Sequence, residues 1–153
     1  MKKAIIIILI IILISTSVLI YLNYLSPSRY FSMLESRWHI KIPRDLKLQE
    51  YYQHEPAGWF GDGVKMYILK AKQGKDILFH ADELMPITEE QIELLNECYF
   101  LIDNKDIKRI NTNHKLMAMQ LKKIDDNPFE TLDRAVLVYD ETGDTYYILE
   151  ILI

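Results

Sequence analysis

His54 and the run Gly58-Trp59-Phe60-Gly61-Asp62-Gly63 come nearest to a chemical site in this chain by residue type and spacing. The three glycines free the backbone to adopt positive φ and to approach a neighbour closely. Asp62, between two of them, can bond its own backbone and fix a turn. Two adjacent aromatics cannot both enter one core from a tight loop. Trp59 or Phe60 is therefore expected at the surface, as the anchor of a recognition loop. The plainer alternative is a hairpin connection with its aromatic tucked under a sheet. His54 and Asp62 flank the loop, and facing each other across the strand ends they would make a metal or acid–base pair. Two ligands fall short of the three or four that zinc takes, so a rim role is the expectation for His54 and no metal is expected.

Other chemistries lack their residues. There is no GxSxG elbow and no GxxxxGK[ST] phosphate loop, and the acidic ligand series of a calcium loop is missing. His39, His80 and His114 show no ligand spacing, and His80 with Asp82 and Glu83 reads as polar surface. The single cysteine, Cys98, cannot form an internal disulfide, and its neighbours Leu94, Leu95 and Leu101 mark it as a buried apolar residue. Glu89-Glu90 and Asp125-Asp126 suit a helix first turn and a loop. No catalytic residue and no cofactor is expected.

The elements that must position the loop follow from periodicity. Tyr30, Phe31, Leu34 and Trp38 recur at helical spacing, with Ser28 as cap and Pro43 as the limit. From Leu46 the period becomes two, giving a strand to about His54, half buried at best. Val64–Ala71 alternates again and should pair antiparallel with it across the loop. Asp76–Leu84 is ambiguous between strand and helical turn. Thr88 and Gln91 form a capping-box pattern ahead of a helix to about Leu101, with Ile92, Leu95, Tyr99 and Ile102 on one face. A strand is expected within Lys115–Lys123. Arg134–Asp140 and Thr145–Ile153 are β-prone and joined by Glu141-Thr142-Gly143-Asp144, a four-residue hairpin loop. Tyr51-Tyr52 and Tyr146-Tyr147 should send one ring to each face. A sheet covered by helix on one side and Tyr-rich on the other follows, and that Tyr face would suit a peptide, glycan or partner. The fold class is α+β with an antiparallel sheet and packed helices.

Ahead of these elements lies the most apolar stretch. Ala4–Leu25 holds 22 residues without a charge, behind Lys2-Lys3 and before Ser26-Pro27-Ser28. At about 1.5 Å per residue it reaches roughly 33 Å, enough for a hydrocarbon core of about 30 Å. Two domains are thus expected: 1–25, a transmembrane anchor in the lipid bilayer through residues 4–25, and 26–153, an extracytoplasmic domain. A cleaved signal is the competitor, since Ser15-Thr16-Ser17 offers small residues after an apolar run. Cleavage there would leave VLIYLNYL as an exposed N-terminus, which favours the anchor. Lys2 and Lys3 keep the N-terminus cytoplasmic and put the domain outside.

Charge narrows the partners. Of 18 basic and 22 acidic residues only Lys2 and Lys3 lie outside residues 26–153, leaving 16 against 22, a net of −6. That argues against nucleic acid, which needs a basic face. With Ile42-Pro43, His54, Gly58–Gly63, Tyr139-Asp140 and Tyr146-Tyr147 in view, the chain resembles a group of small exported or membrane-anchored proteins of low-GC Gram-positive bacteria. It departs from their pattern at Glu55-Pro56-Ala57. The resemblance implies location and general build, and no activity carries over from it. The expected function is a non-enzymatic, membrane-anchored module that binds a protein or cell-envelope partner, with His54 and Gly58–Gly63 as its contact. The alternatives are an envelope immunity or inhibitor protein, and a hydrolase using His54 and Asp62.

Overall fold

The computed structural model describes residues 10–20, 26–54, 63–72, 79–102, 107, 109–123 and 133–152. Residues 10–20 form a helix, α1, followed by α2 (Pro27–Trp38), β1 (Leu46–His54), β2 (Gly63–Ala71), β3 (Met85–Pro86), α3 (Glu89–Ile102), β4 (Leu116–Gln120), β5 (Arg134–Asp140) and β6 (Thr145–Leu152). The six strands make one sheet in the order β1-β2-β6-β5-β4-β3, antiparallel throughout. The expected α+β class and antiparallel sheet are therefore present.

Each element follows from its residues. Thr88 and Gln91 close a capping box: the Thr88 amide donates to Gln91 Oε1 at 2.9 Å, and the Gln91 amide donates to Thr88 Oγ1 at 3.3 Å. The first turn of α3 carries Glu89 and Glu90, where the helix dipole favours negative charge. α2 starts one residue before the expected cap. Ser26 holds the N-cap place and a proline opens the first turn, so Ser28 lies inside the helix. β6 lies between β2 and β5, so it joins the two expected hairpins and is buried along its whole length. A strand covered on both faces reads as a continuous apolar run, as Tyr146–Ile151 does apart from Glu150. Asp140 fixes the β5–β6 turn by accepting from the Thr142 and Gly143 amides at 2.9 and 3.1 Å, and His114 Nδ1 lies 2.8 Å from its other oxygen.

Both faces of the sheet are covered. On one, α3 packs Leu94, Leu95, Cys98, Tyr99 and Ile102 against Val64, Met66, Ile68, Val136, Val138 and Leu149. On the other, α2 brings Leu34 and Trp38, and the segments around Ile40 and Phe79 complete a second core over Tyr67, Leu137 and Ile148. This corrects the expectation of helix on one side and an open tyrosine face on the other. Tyr146 and Tyr147 do point to opposite faces, and both are buried because each face has its own cover. Tyr146 stacks on Tyr139 at 4.4 Å and accepts a hydrogen bond from the Phe79 amide.

In α1 the apolar side chains are exposed, from Ile10 at 50% to Leu13 and Ile20 at 69%. Its 11 residues reach about 16 Å. No helix among the described residues is long and apolar enough to cross a membrane. Residues 4–9 and 21–25, which the expected span also requires, lie outside the described residues.

Candidate functional site

The site is built around the last turn of α2. Trp38 closes that helix, and His39 follows as its C-cap with φ 49° and ψ 37°, a left-handed conformation more usual for Gly or Asn. Ile40 and Ile42 then turn inward and are buried. The Ile42 amide donates to Glu35 Oε1 at 2.8 Å, which folds the exit segment back against the helix.

Beneath the turn lies a carboxylate with no exposure to solvent, Glu150 of β6. Trp38 Nε1 and Arg37 Nη1 donate to its Oε1, the arginine at 3.1 Å, and the Tyr67 hydroxyl donates to Oε2 at 2.8 Å. Lys65, buried at 4% exposure, is the direct cross-strand partner of Glu150 and so shares its face. Burial, then the neighbouring Glu150 charge, pushes the Tyr67 hydroxyl far above the usual tyrosine range. It remains a proton donor to the carboxylate at every ordinary pH.

Beside this cluster opens a cleft of about 240 Å³. It lies between the end of α2, the turn at residues 79–84 and the far end of β4. Trp38, Ile40, Met119 and Leu121 form its apolar wall, while His39, His80, Glu83, Gln120 and Lys122 supply polar groups. His80 has φ 54°, so two of the three non-glycine residues with positive φ among the described residues line this one cleft. Such conformations cost of order 1–3 kcal/mol each and cluster where function demands a fixed geometry. His80 Nδ1 lies 2.9 Å from Glu83 Oε1. That contact fixes the ring and leaves Nε2 available to a ligand.

The cleft also reaches main-chain groups. The Leu121 amide donates to the Ala135 carbonyl at 2.9 Å, so Leu121 faces β5 with its polar atoms. In an antiparallel ladder the next residue points the other way. Gln120 and Lys122 therefore direct their N–H and C=O away from β5, on the side where β3 pairs only with Met117 and Ala118. Past Met85 the chain has left the sheet for the turn, whose Glu83 and Leu84 amides bond the His80 carbonyl.

Of the residues expected to bind, the structure describes two. His54 is the exposed last residue of β1, and Gly63 opens β2 with φ 119°, buried opposite Leu152. Gly58, Trp59, Phe60, Gly61 and Asp62 lie outside the described residues, and with them the His54–Asp62 pairing. The loop's ends and the cleft lie at the same end of the sheet, three strand spacings or about 14 Å apart from β2 to β4. His39 and His80 were not recognised from spacing, because only the tertiary path brings them to one cavity. A trace existed nonetheless: Trp38-His39-Ile40 ends a helix without the Gly or Asn expected there. Among the described residues no group of three or more His, Cys, Asp or Glu could hold a metal ion. Compared with protein-family models, curated proteins and solved structures, the chain matches none.

Proposed function

We propose that this protein is a membrane-tethered, extracytoplasmic, non-enzymatic binding module, held in the bilayer by residues 4–25 and offering the cleft beside Trp38 to its ligand. The observation that carries the tether is α1. Its apolar side chains face outward all round, and the domain's two cores are complete without them. Its polar side chains turn back on the helix itself. Ser15, Thr16 and Ser17 donate to the carbonyls of Ile12 and Leu13 at 2.8–3.0 Å. A helix in hydrocarbon needs that arrangement, because no water is there to satisfy a hydroxyl. Lys2 and Lys3 favour a cytoplasmic N-terminus. The binding role draws on the cleft, and His54 and Gly63, which bracket the glycine-rich connection in sequence, lie at the same end of the sheet.

Fractionation of cells producing the full chain tests the tether. The protein should stay in the membrane pellet through alkaline carbonate washing and be digested by protease added to intact cells. Recovery in the soluble fraction without detergent would end the proposal. Trp59→Ala with Asp62→Ala tests the loop: unchanged retention of every co-purifying partner would remove it from the contact surface.

A further inference from the structure

Resting on the reading of this domain as a binding module, we infer that the cleft takes the carboxyl end of an extended peptide, which adds a short strand to the open edge of β4. Three observations converge. First, Gln120 and Lys122 present main-chain donors and acceptors outward where β3 has ended, which is the pattern an added strand pairs with. Second, the space suits a chain end rather than a long segment. Its contact with β4 is confined to residues 119–122, about 10 Å of strand, and the buried Trp38 and Leu121 belong to its lining. Third, the groups around that space suit a carboxylate. His39 and Lys122 supply nitrogen donors, and Glu83, the one acid lining the cleft among the described residues, is held by His80 Nδ1 at 2.9 Å. An internal peptide segment would leave those donors unanswered, whereas a terminal carboxylate meets them while its preceding amide pairs with Gln120.

The left-handed backbone at His39 and His80 belongs to this account. It turns both imidazole-bearing segments abruptly at the cavity, and each residue is strained relative to the glycine that would serve the turn better.

The test uses the full chain in detergent micelles. It is incubated with a library of acetylated tetrapeptides bearing free carboxyl termini, and in parallel with the same library amidated. Peptides that elute with the protein on size exclusion are identified by mass spectrometry. A sequence-restricted set should be retained from the acid library and depleted at least tenfold from the amide library. Gln120→Pro removes the outward N–H on an edge where proline is tolerated, and should weaken retention at least fivefold. His39→Ala, which keeps the backbone strain and removes only the ring, and Lys122→Ala should each do the same. Both are exposed, so the test survives if the proline variant fails to fold. Retention of no peptide, equal retention of amides, or unchanged retention in His39→Ala and Lys122→Ala would each overturn the inference. Any of these leaves the tether standing, since that falls only with the fractionation result.

Discussion

Replacing Glu150 by Leu puts the greatest load on the reasoning, because the two core clusters allow its cost to be worked out. The side chain is fully buried and accepts from three donors. Leu fills a similar volume, so the cavity term is small. Trp38 Nε1–H and the Tyr67 hydroxyl are stranded instead, each in a residue 1% exposed. An orphaned buried donor costs about 1–3 kcal/mol, giving roughly 2–6 for the pair. Arg37 is 27% exposed on its side chain and can turn to water, which adds about 1 kcal/mol or less. A loss of about 4 kcal/mol is expected, against the 5–15 kcal/mol typical of a whole domain. Tyr67→Phe alone should cost about 1–2 kcal/mol, since one carboxylate lone pair is left unmet. Replacing the cluster as a whole (Arg37→Met, Trp38→Phe, Lys65→Met, Tyr67→Phe and Glu150→Leu together) should come back to within about 2 kcal/mol of the parent, because no partner is stranded. Urea unfolding followed by far-UV circular dichroism, with the slope checked for constancy, measures all three. A cost below about 1 kcal/mol for Glu150→Leu, or a joint variant as unstable as the summed singles, would refute the account.

Two further outcomes follow from the same structure. His39→Gly relieves the left-handed C-cap and should stabilise by about 1 kcal/mol, raising the melting temperature by a few degrees; no gain would mean that φ of 49° carries no strain here. Burial raises the Cys98 thiol from 9.0 to about 12 and the Tyr99 hydroxyl from 10.0 to about 12. Both groups are protonated when folded and ionise sooner when unfolded. Their contribution is therefore complete below pH 9 and is lost between pH 9 and 12, each ionisation adding a slope of about 1.4 kcal/mol per pH unit. Urea midpoints should be flat in this respect at pH 7–8 and fall above pH 9, and Cys98→Ala should remove its share of the fall. A midpoint unchanged to pH 11 would contradict the burial.

Much of the fold was legible because local signals agreed with the global arrangement. The Thr88–Gln91 capping box, the hairpin loop at 141–144 and the strand at Arg134–Asp140 stand where the sequence puts them. Cys98 is a buried apolar residue, as its leucine neighbours suggest. What could not be read was long-range. Nothing local says that β6 inserts between β2 and β5, nor that two helices take opposite faces, so the tyrosine pairs were assigned one exposed ring too many. β3 escaped notice because two residues, one of them Pro86, carry no period. The cleft was missed for a related reason: His39 and His80 reach it from a helix end and a turn, neither of which has a repeating pattern. The buried carboxylate did leave a mark. An acid within Tyr146–Ile151 and a lysine within Val64–Leu69 interrupt runs that are otherwise apolar, and opposite charges in two strands of that kind invite pairing across a ladder.

The charge cluster and the cleft share one side chain, and that bears on why the cluster exists. Trp38 gives its indole N–H to Glu150 and its ring to the cleft wall. Among the described side chains of α2 only Leu34 and Trp38 are fully buried, with Tyr30 and Phe31 in part, so apolar contact alone fixes its rotation weakly. A bond from Trp38 and another from Arg37 to one immobile carboxylate fix that rotation, and with it the place of His39. Buried charges rarely add net stability, but they can specify one packing among several. The joint apolar variant separates these roles. If it keeps its stability and loses peptide retention while Trp38→Phe alone retains the peptide, the carboxylate sets the geometry of the cleft. If it keeps both, packing alone orients α2 and the cluster has no part in recognition.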